Sequence, residues 1–306
     1  MVVQRTLKNV VRASGVGLHS GASVYLTLRP APENYGICFK RLDRDPPEII
    51  KAVSENVSHT NLSTCLFGKD KKAGVSTVEH LLSALLGMGV DNVLAECNSE
   101  EIPIMDGSAS PFVFLIQSAG IREQTALRRY LKINKTVEVR EGKKYARLEP
   151  FDGFRVSFSI EFDHPVVDSR SCSTVVDINE INFIREVSRA RTFGFTRDLA
   201  YLKKHNLARG GSFSNAIVVG ENAILNDDGL RQDDEFVKHK VLDVVGDLYL
   251  AGYPILGHYV GERSGHSLNN ALLKRVFSDP ENTSIVTFDR AQDCPIDVKP
   301  VVENFF

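Results

Sequence analysis

Hydrophobic and polar positions alternate and then regroup along the chain, and the change of period marks its elements. Residues 21 to 29, G-A-S-V-Y-L-T-L-R, alternate in the manner of a half-buried strand. G-I-C-F-K-R at 36 to 41 predicts a partner strand across the Pro30 to Tyr35 connection. S-T-V-E-H-L-L-S-A-L-L-G-M at 76 to 88 predicts a helix that starts on Ser76. A strand at 90 to 96, the turn-rich P-I-M-D-G-S-A-S-P and a helix at 111 to 119 follow. From about residue 128 the pattern restarts, with strands at 130 to 139, 145 to 149 and 154 to 162 and helical stretches at 180 to 188, 235 to 251 and 267 to 277. The fold class expected is α+β in two units, 1–127 and 128–306, with no low-complexity linker between them. The second unit is enlarged between about 190 and 232, where R-T-F-G-F-T and G-G-S-F-S-N-A-I-V-V gather aromatic residues and glycines suited to a pocket wall.

One predicted helix carries an unusual polar set. In F-V-K-H-K-V-L-D-V-V-G-D at 236 to 247, His239, Asp243 and Asp247 fall at i, i+4 and i+8 and share an arc of about 80°. Val237, Val241, Val244, Val245 and Leu248 take the other side. The arc is either an ordinary solvated face or a ligand set looking into a site.

Composition narrows the class. The chain has 306 residues, 42% hydrophobic and 25% charged, which is long and apolar enough for sizeable cores. A formal net charge of −2 with scattered Lys and Arg argues against a nucleic-acid or anionic-lipid footprint, and Lys69, Lys71 and Lys72 read as loop charges. Cys38, Cys65, Cys97, Cys172 and Cys294 are odd in number and contain no C-x-x-C pair, so reduced thiols and a cytoplasmic location are expected. The first residues lack a signal-peptide core, and no apolar run reaches about 18 residues.

His239 and Asp243 can both reach one metal ion, since hydrolytic sites combine His nitrogen and carboxylate oxygen and leave a position for water. The best third ligand is His80, beside Glu79, a carboxylate able to take a proton from water. Ser76 and Glu79 also form a capping-box sequence, so Glu79 reads as cap or as base. Neither H-E-x-x-H nor H-x-x-E-H occurs, which removes the zinc-protease motifs. His266, in the turn R-S-G-H-S-L-N-N, is either an exposed residue at a helix start or an acid kept protonated by a carboxylate such as Asp247. His19, His59, His164, His205 and His258 read as structural or surface residues. G-V-G-L-H-S-G at 15 to 21 matches no phosphate loop.

Taken together, S-T-V-E-H, E-I-P-I-M-D-G-S-A-S-P-F-V, S-R-A-R-T-F-G-F, G-G-S-F-S-N-A-I-V-V, D-E-F-V-K-H-K-V-L-D-V-V-G-D-L and S-G-H-S-L-N-N closely resemble the UDP-3-O-acyl-N-acetylglucosamine deacetylases of Gram-negative lipid A synthesis. The likeness runs from Q-R-T-L-K at 4 to 8 almost to the C-terminus. It implies two similar domains of the ribosomal protein S5 domain 2-like kind, with the active site between their helices. It also implies Zn2+ on His80, His239 and Asp243, Glu79 as base, His266 as acid partnered by Asp247, Thr192 near the oxyanion and Lys240 against the substrate. Uridine is implied near Phe162, with Lys144 and Arg263 as nucleotide contacts. The acyl chain is implied to pass the insertion at about 190–222, by Phe193, Phe195, Leu199, Ser212 and Phe213. The activity implied is zinc-dependent hydrolysis of the 2-acetamido group of UDP-3-O-(3-hydroxyacyl)-N-acetylglucosamine to free amine and acetate, the committed step of lipid A biosynthesis. The partner is the acylated UDP-sugar, with no nucleic acid; peripheral membrane contact and a regulatory protease or adaptor stay open. Asn215 and the tail V-V-E-N-F-F depart from relatives, which bears on acyl-length preference and turnover control.

Overall fold

The computed structural model describes residues 1–68, 73–168 and 170–297, so Lys69, Lys71, Lys72 and the tail V-V-E-N-F-F lie outside the described residues. The fold is mixed α/β. One five-stranded sheet runs in the order Val11–Val16, Ser23–Pro30, Val93–Cys97, Ile37–Arg41, Ile49–Lys51. The two strands expected to pair across Pro30 to Tyr35 are therefore not neighbours. Val93–Cys97 lies between them, antiparallel to the first and parallel to the second. Its almost unbroken burial explains the choice, because a strand covered on both faces belongs at the centre of a sheet.

A second sheet is built from residues after 129, in the order Val137–Glu141, Lys144–Glu149, Ile255–Glu262, Tyr130–Ile133, Thr283–Val286. Phe154–Ser159 also pairs in parallel with Ile255–Glu262 and carries Ser173–Asp177 on its other edge. The strand expected over 130 to 139 is two strands. Asn134 leaves the ladder and gives its backbone N–H to the Asn282 carbonyl at 2.8 Å, so Tyr130–Ile133 and Val137–Glu141 find different partners. The pair Val3–Leu7 with Ile121–Leu127 has no counterpart in the predicted elements.

Four helices position the site: α1 (Glu79–Gly87), α2 (Ser110–Ala119), α3 (Glu235–Tyr249) and α4 (His266–Phe277). Every residue of α1 is buried, which makes it an interior helix. It packs on α2 and on α3, and α3 in turn packs on α4. Gly246 sets the closeness of α1 and α3, since a Cβ there would stand 2.0 Å from the Glu79 carbonyl oxygen. The predicted helix at 180 to 188 is one turn, Glu180–Asn182, that widens into a π-helical turn over Phe183–Val187. One apolar cluster joins both sheets through residues such as Phe39, Leu82, Val156 and Leu242. Among the described residues no helix is long and apolar enough to cross a membrane.

Candidate metal centre and active site

The polar arc of α3 is not a solvated face. His239, Asp243 and Asp247 are 2%, 3% and 2% exposed. Buried charge needs partners, and here they come from α1 and α4. His80 reaches across from α1, so that its Nε2 lies 3.6 Å and that of His239 3.4 Å from Asp243 Oδ1. The three donor atoms fall within 4.8 Å of one another.

The donor chemistry fits a metal ion. His239 Nδ1 is 3.0 Å from the Ala190 carbonyl, so as a neutral ring it donates there and turns the Nε2 lone pair inward. Burial pushes that imidazole down to about 3, which favours the neutral, ligating form. Burial opposes ionisation of Asp243, but Lys240 and His239 outweigh it and hold the carboxyl well below its ordinary range. Lys240 Nζ donates to Asp243 Oδ2 at 2.8 Å, leaving Oδ1 for the centre. His80 Nδ1 is buried without a hydrogen-bond partner.

Glu79 does not cap α1. Ser76 sits in a bridge with Glu101 and gives its hydroxyl to the Glu100 carbonyl, three residues ahead of the first helical turn. With no capping box to close, Glu79 Oε2 accepts instead from the Thr64 backbone N–H at 3.1 Å, while Oε1 lies 3.8 Å from His266 Nε2. Burial raises the Glu79 carboxyl above its ordinary value, against the pull of His266 and His80. His266 opens α4, with Nδ1 2.7 Å from Asp247 Oδ2. Burial alone would lower it, but the Asp247 charge and hydrogen bond, with Glu79 behind them, raise it to about 10. Thr64 Oγ1 donates to Asp247 Oδ1 at 2.6 Å and Asn269 Nδ2 to Oδ2 at 2.8 Å, so the carboxylate is fixed from three sides.

Glu79, His80, His239, Asp243 and His266 face a cavity of about 320 Å³, which Thr192, Phe193, Lys240, Lys144 and Arg263 also line. Thr192 is held by its backbone, giving its N–H to Gly107 and receiving that of Ile217, each at 2.8 Å. Phe193 lies edge-on to Phe162, Phe195 and the His239 ring. Arg263 pairs with Glu161. Leu199, Ser212 and Phe213 are exposed and are not among the cavity-lining residues. Thr64 and Asn269 were missed by sequence reasoning. Asn269 had a signal, lying one turn after His266 on the same helix, whereas nothing local marks Thr64.

Fold and site together define a mixed α/β protein with a buried His2Asp set able to hold a metal ion, beside a buried glutamate and a carboxylate-bound histidine. The LpxC family, described as UDP-3-O-acyl N-acetylglycosamine deacetylase, matches residues 4–278, and the chain belongs to it. A UDP-3-O-acyl-N-acetylglucosamine deacetylase of Alcanivorax borkumensis is 54% identical over 303 residues, covering 99% of each chain.

Proposed function

We propose that the cavity hydrolyses the 2-acetamido group of UDP-3-O-(3-hydroxyacyl)-N-acetylglucosamine, with His80, His239 and Asp243 as zinc ligands. The deacetylase activity in lipid A biosynthesis is that of the family to which the chain belongs. The observation that carries the site assignment is the meeting of three buried donors within 4.8 Å in the cavity that Glu79 and His266 also face. Zinc in such a set supplies Lewis-acid polarisation and a water acidified toward neutral pH.

The chain's own residues supply the rest. Glu79, its carboxyl raised by burial, is suited to take a proton from the attacking water near neutral pH. His266, kept protonated by Asp247, gives a proton or hydrogen bond from Nε2 to the developing oxyanion or the departing amine. The Thr192 hydroxyl, on a backbone fixed from both sides, is a second donor for that oxygen. Lys240 keeps N–H groups for the substrate beyond its bond to Asp243. Phe162 would stack the uracil, and Lys144 and Arg263, on the cavity wall, would meet the diphosphate. The insertion at about 190–222 would wall the acyl chain, with Phe193 and Phe195 inside and Leu199, Ser212 and Phe213 toward its outer end.

The same reading takes 1–127 and 128–306 as two similar S5 domain 2-like units with the site between α1 and α3, each sheet being drawn from one of those stretches. It places the protein in the cytoplasm, which suits a nucleotide-sugar substrate and five unpaired thiols.

The test is acetate release from the acylated UDP-sugar by purified protein, before and after metal stripping. Release should need about one zinc per chain and return with zinc. Full release from thoroughly stripped protein would overturn the metal assignment; none from zinc-loaded protein would overturn the substrate.

A further inference from the structure

Glu101 is 1% exposed and lies outside the constellation just described. Its two carboxylate oxygens accept four hydrogen bonds. Oε1 takes the His19 N–H at 2.8 Å and the Thr77 hydroxyl at 3.0 Å. Oε2 takes the Ser20 N–H at 2.8 Å and the Ser20 hydroxyl at 2.6 Å. The loop G-V-G-L-H-S-G at 15 to 21 is thus clamped from beneath, and Gly17 is required there, since a Cβ would stand 2.3 Å from Glu101 Oε2.

The opposite side of the same loop receives the insertion. Gly210 gives its N–H to the Leu18 carbonyl at 3.0 Å, Arg209 its N–H to the His19 carbonyl at 3.3 Å, and Ala208 its N–H to His19 Nδ1 at 3.4 Å. The backbones approach so closely that a Cβ on Gly210 would stand 2.2 Å from the Gly17 oxygen. Leu18 and His19 line the catalytic cavity, and His19 Nε2 is buried there without a partner. At the other end of the chain of contacts, Thr77 holds the left-handed φ of +55°, a conformation that a β-branched residue keeps only when its surroundings impose it. It precedes Glu79 by two residues and His80 by three.

We propose that Glu101 is a positioning residue that couples the wall of the acyl path to the start of α1, through the loop at 17–21 on one side and Thr77 on the other. The proposal rests on the reading of the insertion as acyl wall. A carboxylate is needed because four donors converge on two oxygens. An amide of the same size accepts at only one, and its NH2 would face the donors that the other oxygen served. With the clamp loosened, residues 208–210 lose their fixed footing, and a long acyl chain no longer seats the acetamide against Glu79 and the metal ligands. A reactant misplaced by about 1 Å can cost on the order of 100-fold in rate.

The test compares wild type, Glu101→Gln and Ser20→Ala on UDP-N-acetylglucosamine carrying either a long 3-hydroxyacyl chain or a 3-O-acetyl group, with zinc content measured on each protein. Both variants should keep their zinc. In Glu101→Gln, kcat/KM should fall about tenfold or more on the long-chain sugar and less than about twofold on the short-chain one, with Ser20→Ala in the same direction and smaller. Amide hydrogen exchange should rise together at 17–21 and 206–211 and stay unchanged in α2. Equal losses on both sugars would mean that Glu101 only stabilises the fold, and would overturn the coupling, as would an unchanged long-to-short preference in both variants. If Glu101→Gln does not fold, Ser20→Ala alone decides. Acetate release from neither sugar by zinc-loaded wild type would overturn the functional reading beneath, and this proposal with it.

Discussion

His266 Nδ1 and Asp247 Oδ2 stand 2.7 Å apart, and Asp247 is in turn held by Thr64 and Asn269, so an imidazole on α4 is tied to a carboxylate on α3. The bond raises His266 from its ordinary 6.5 to about 10. A group whose pKa is higher folded than unfolded adds its stabilisation in full below the unfolded value and loses it as pH climbs through the folded one. The His266–Asp247 pair should therefore support the fold fully below about 6.5 and lose that support toward about 10. In catalysis the descending limb of kcat/KM against pH should report His266 and the ascending limb Glu79. Asp247→Asn should move the descending limb to lower pH by ~1 unit or more. A limb that does not move would remove the pair from the proton inventory.

Glu79→Gln should leave zinc binding and folding near wild type and lower kcat by about 10² to 10⁴. Its amide oxygen can still accept from Thr64, so the change removes basicity and little else. Ser76→Ala is the matching control. A capping serine would cost about 1 kcal/mol when removed, but Ser76 does not cap α1 and the loss by denaturant titration should be smaller. Turnover retained in Glu79→Gln would return Glu79 to a structural role.

Gly246→Ala tests the contact on which the metal set depends. The new methyl would meet the Glu79 carbonyl at 2.0 Å and force α1 from α3. A backbone oxygen cannot swing aside as a side chain can, so a loss of about 1–3 kcal/mol is expected, together with weaker zinc binding, because His80 and Asp243 sit on the two helices being parted. Calorimetry of zinc binding beside a denaturant curve checks both. Unchanged zinc affinity would show that the ligand geometry tolerates the shift.

How much of this was legible in the sequence depended on how local the cause was. The α3 arc was readable because helical geometry alone puts His239, Asp243 and Asp247 on one side. Whether that side was wet or buried was not, because the answer lies in α1, some 160 residues earlier in the chain. The start of α1 was placed too early, at Ser76, for a related reason. The S-T-V-E signature is local, but Ser76 is drawn into a bridge with Glu101 and the helix begins later. The strands with clear alternation, such as 21 to 29 and 36 to 41, were read, but Val11–Val16, Ile255–Glu262 and other strands were not. Strand order was not legible, since nothing in residues 21 to 41 announces that Val93–Cys97 will enter between them. Sequence motifs named Glu79, His80, His239, Asp243 and His266, which face the cavity, but also Leu199, Ser212 and Phe213, which do not. Thr64 and Glu101, which bond to the loops and side chains around it, emerged only with the fold.

Thr64 is the sharpest test of that distinction. Its hydroxyl donates to Asp247 Oδ1 at 2.6 Å and its N–H to Glu79 Oε2 at 3.1 Å, so one residue steadies both Glu79, the proposed base, and the carboxylate behind His266. Thr64→Val keeps the shape and the N–H while deleting the hydroxyl, leaving Asp247 Oδ1 buried without that donor. A buried acceptor stripped of its partner costs about 1–3 kcal/mol, and unfolding curves should show a loss of that size. Zinc content should not change, since none of the proposed ligands His80, His239 and Asp243 bonds to the hydroxyl. Activity should fall by less than in Glu79→Gln, because the base keeps its proton affinity and only the anchoring of His266 is weakened. Wild-type stability and activity in Thr64→Val would show that Asn269 and His266 suffice to hold Asp247.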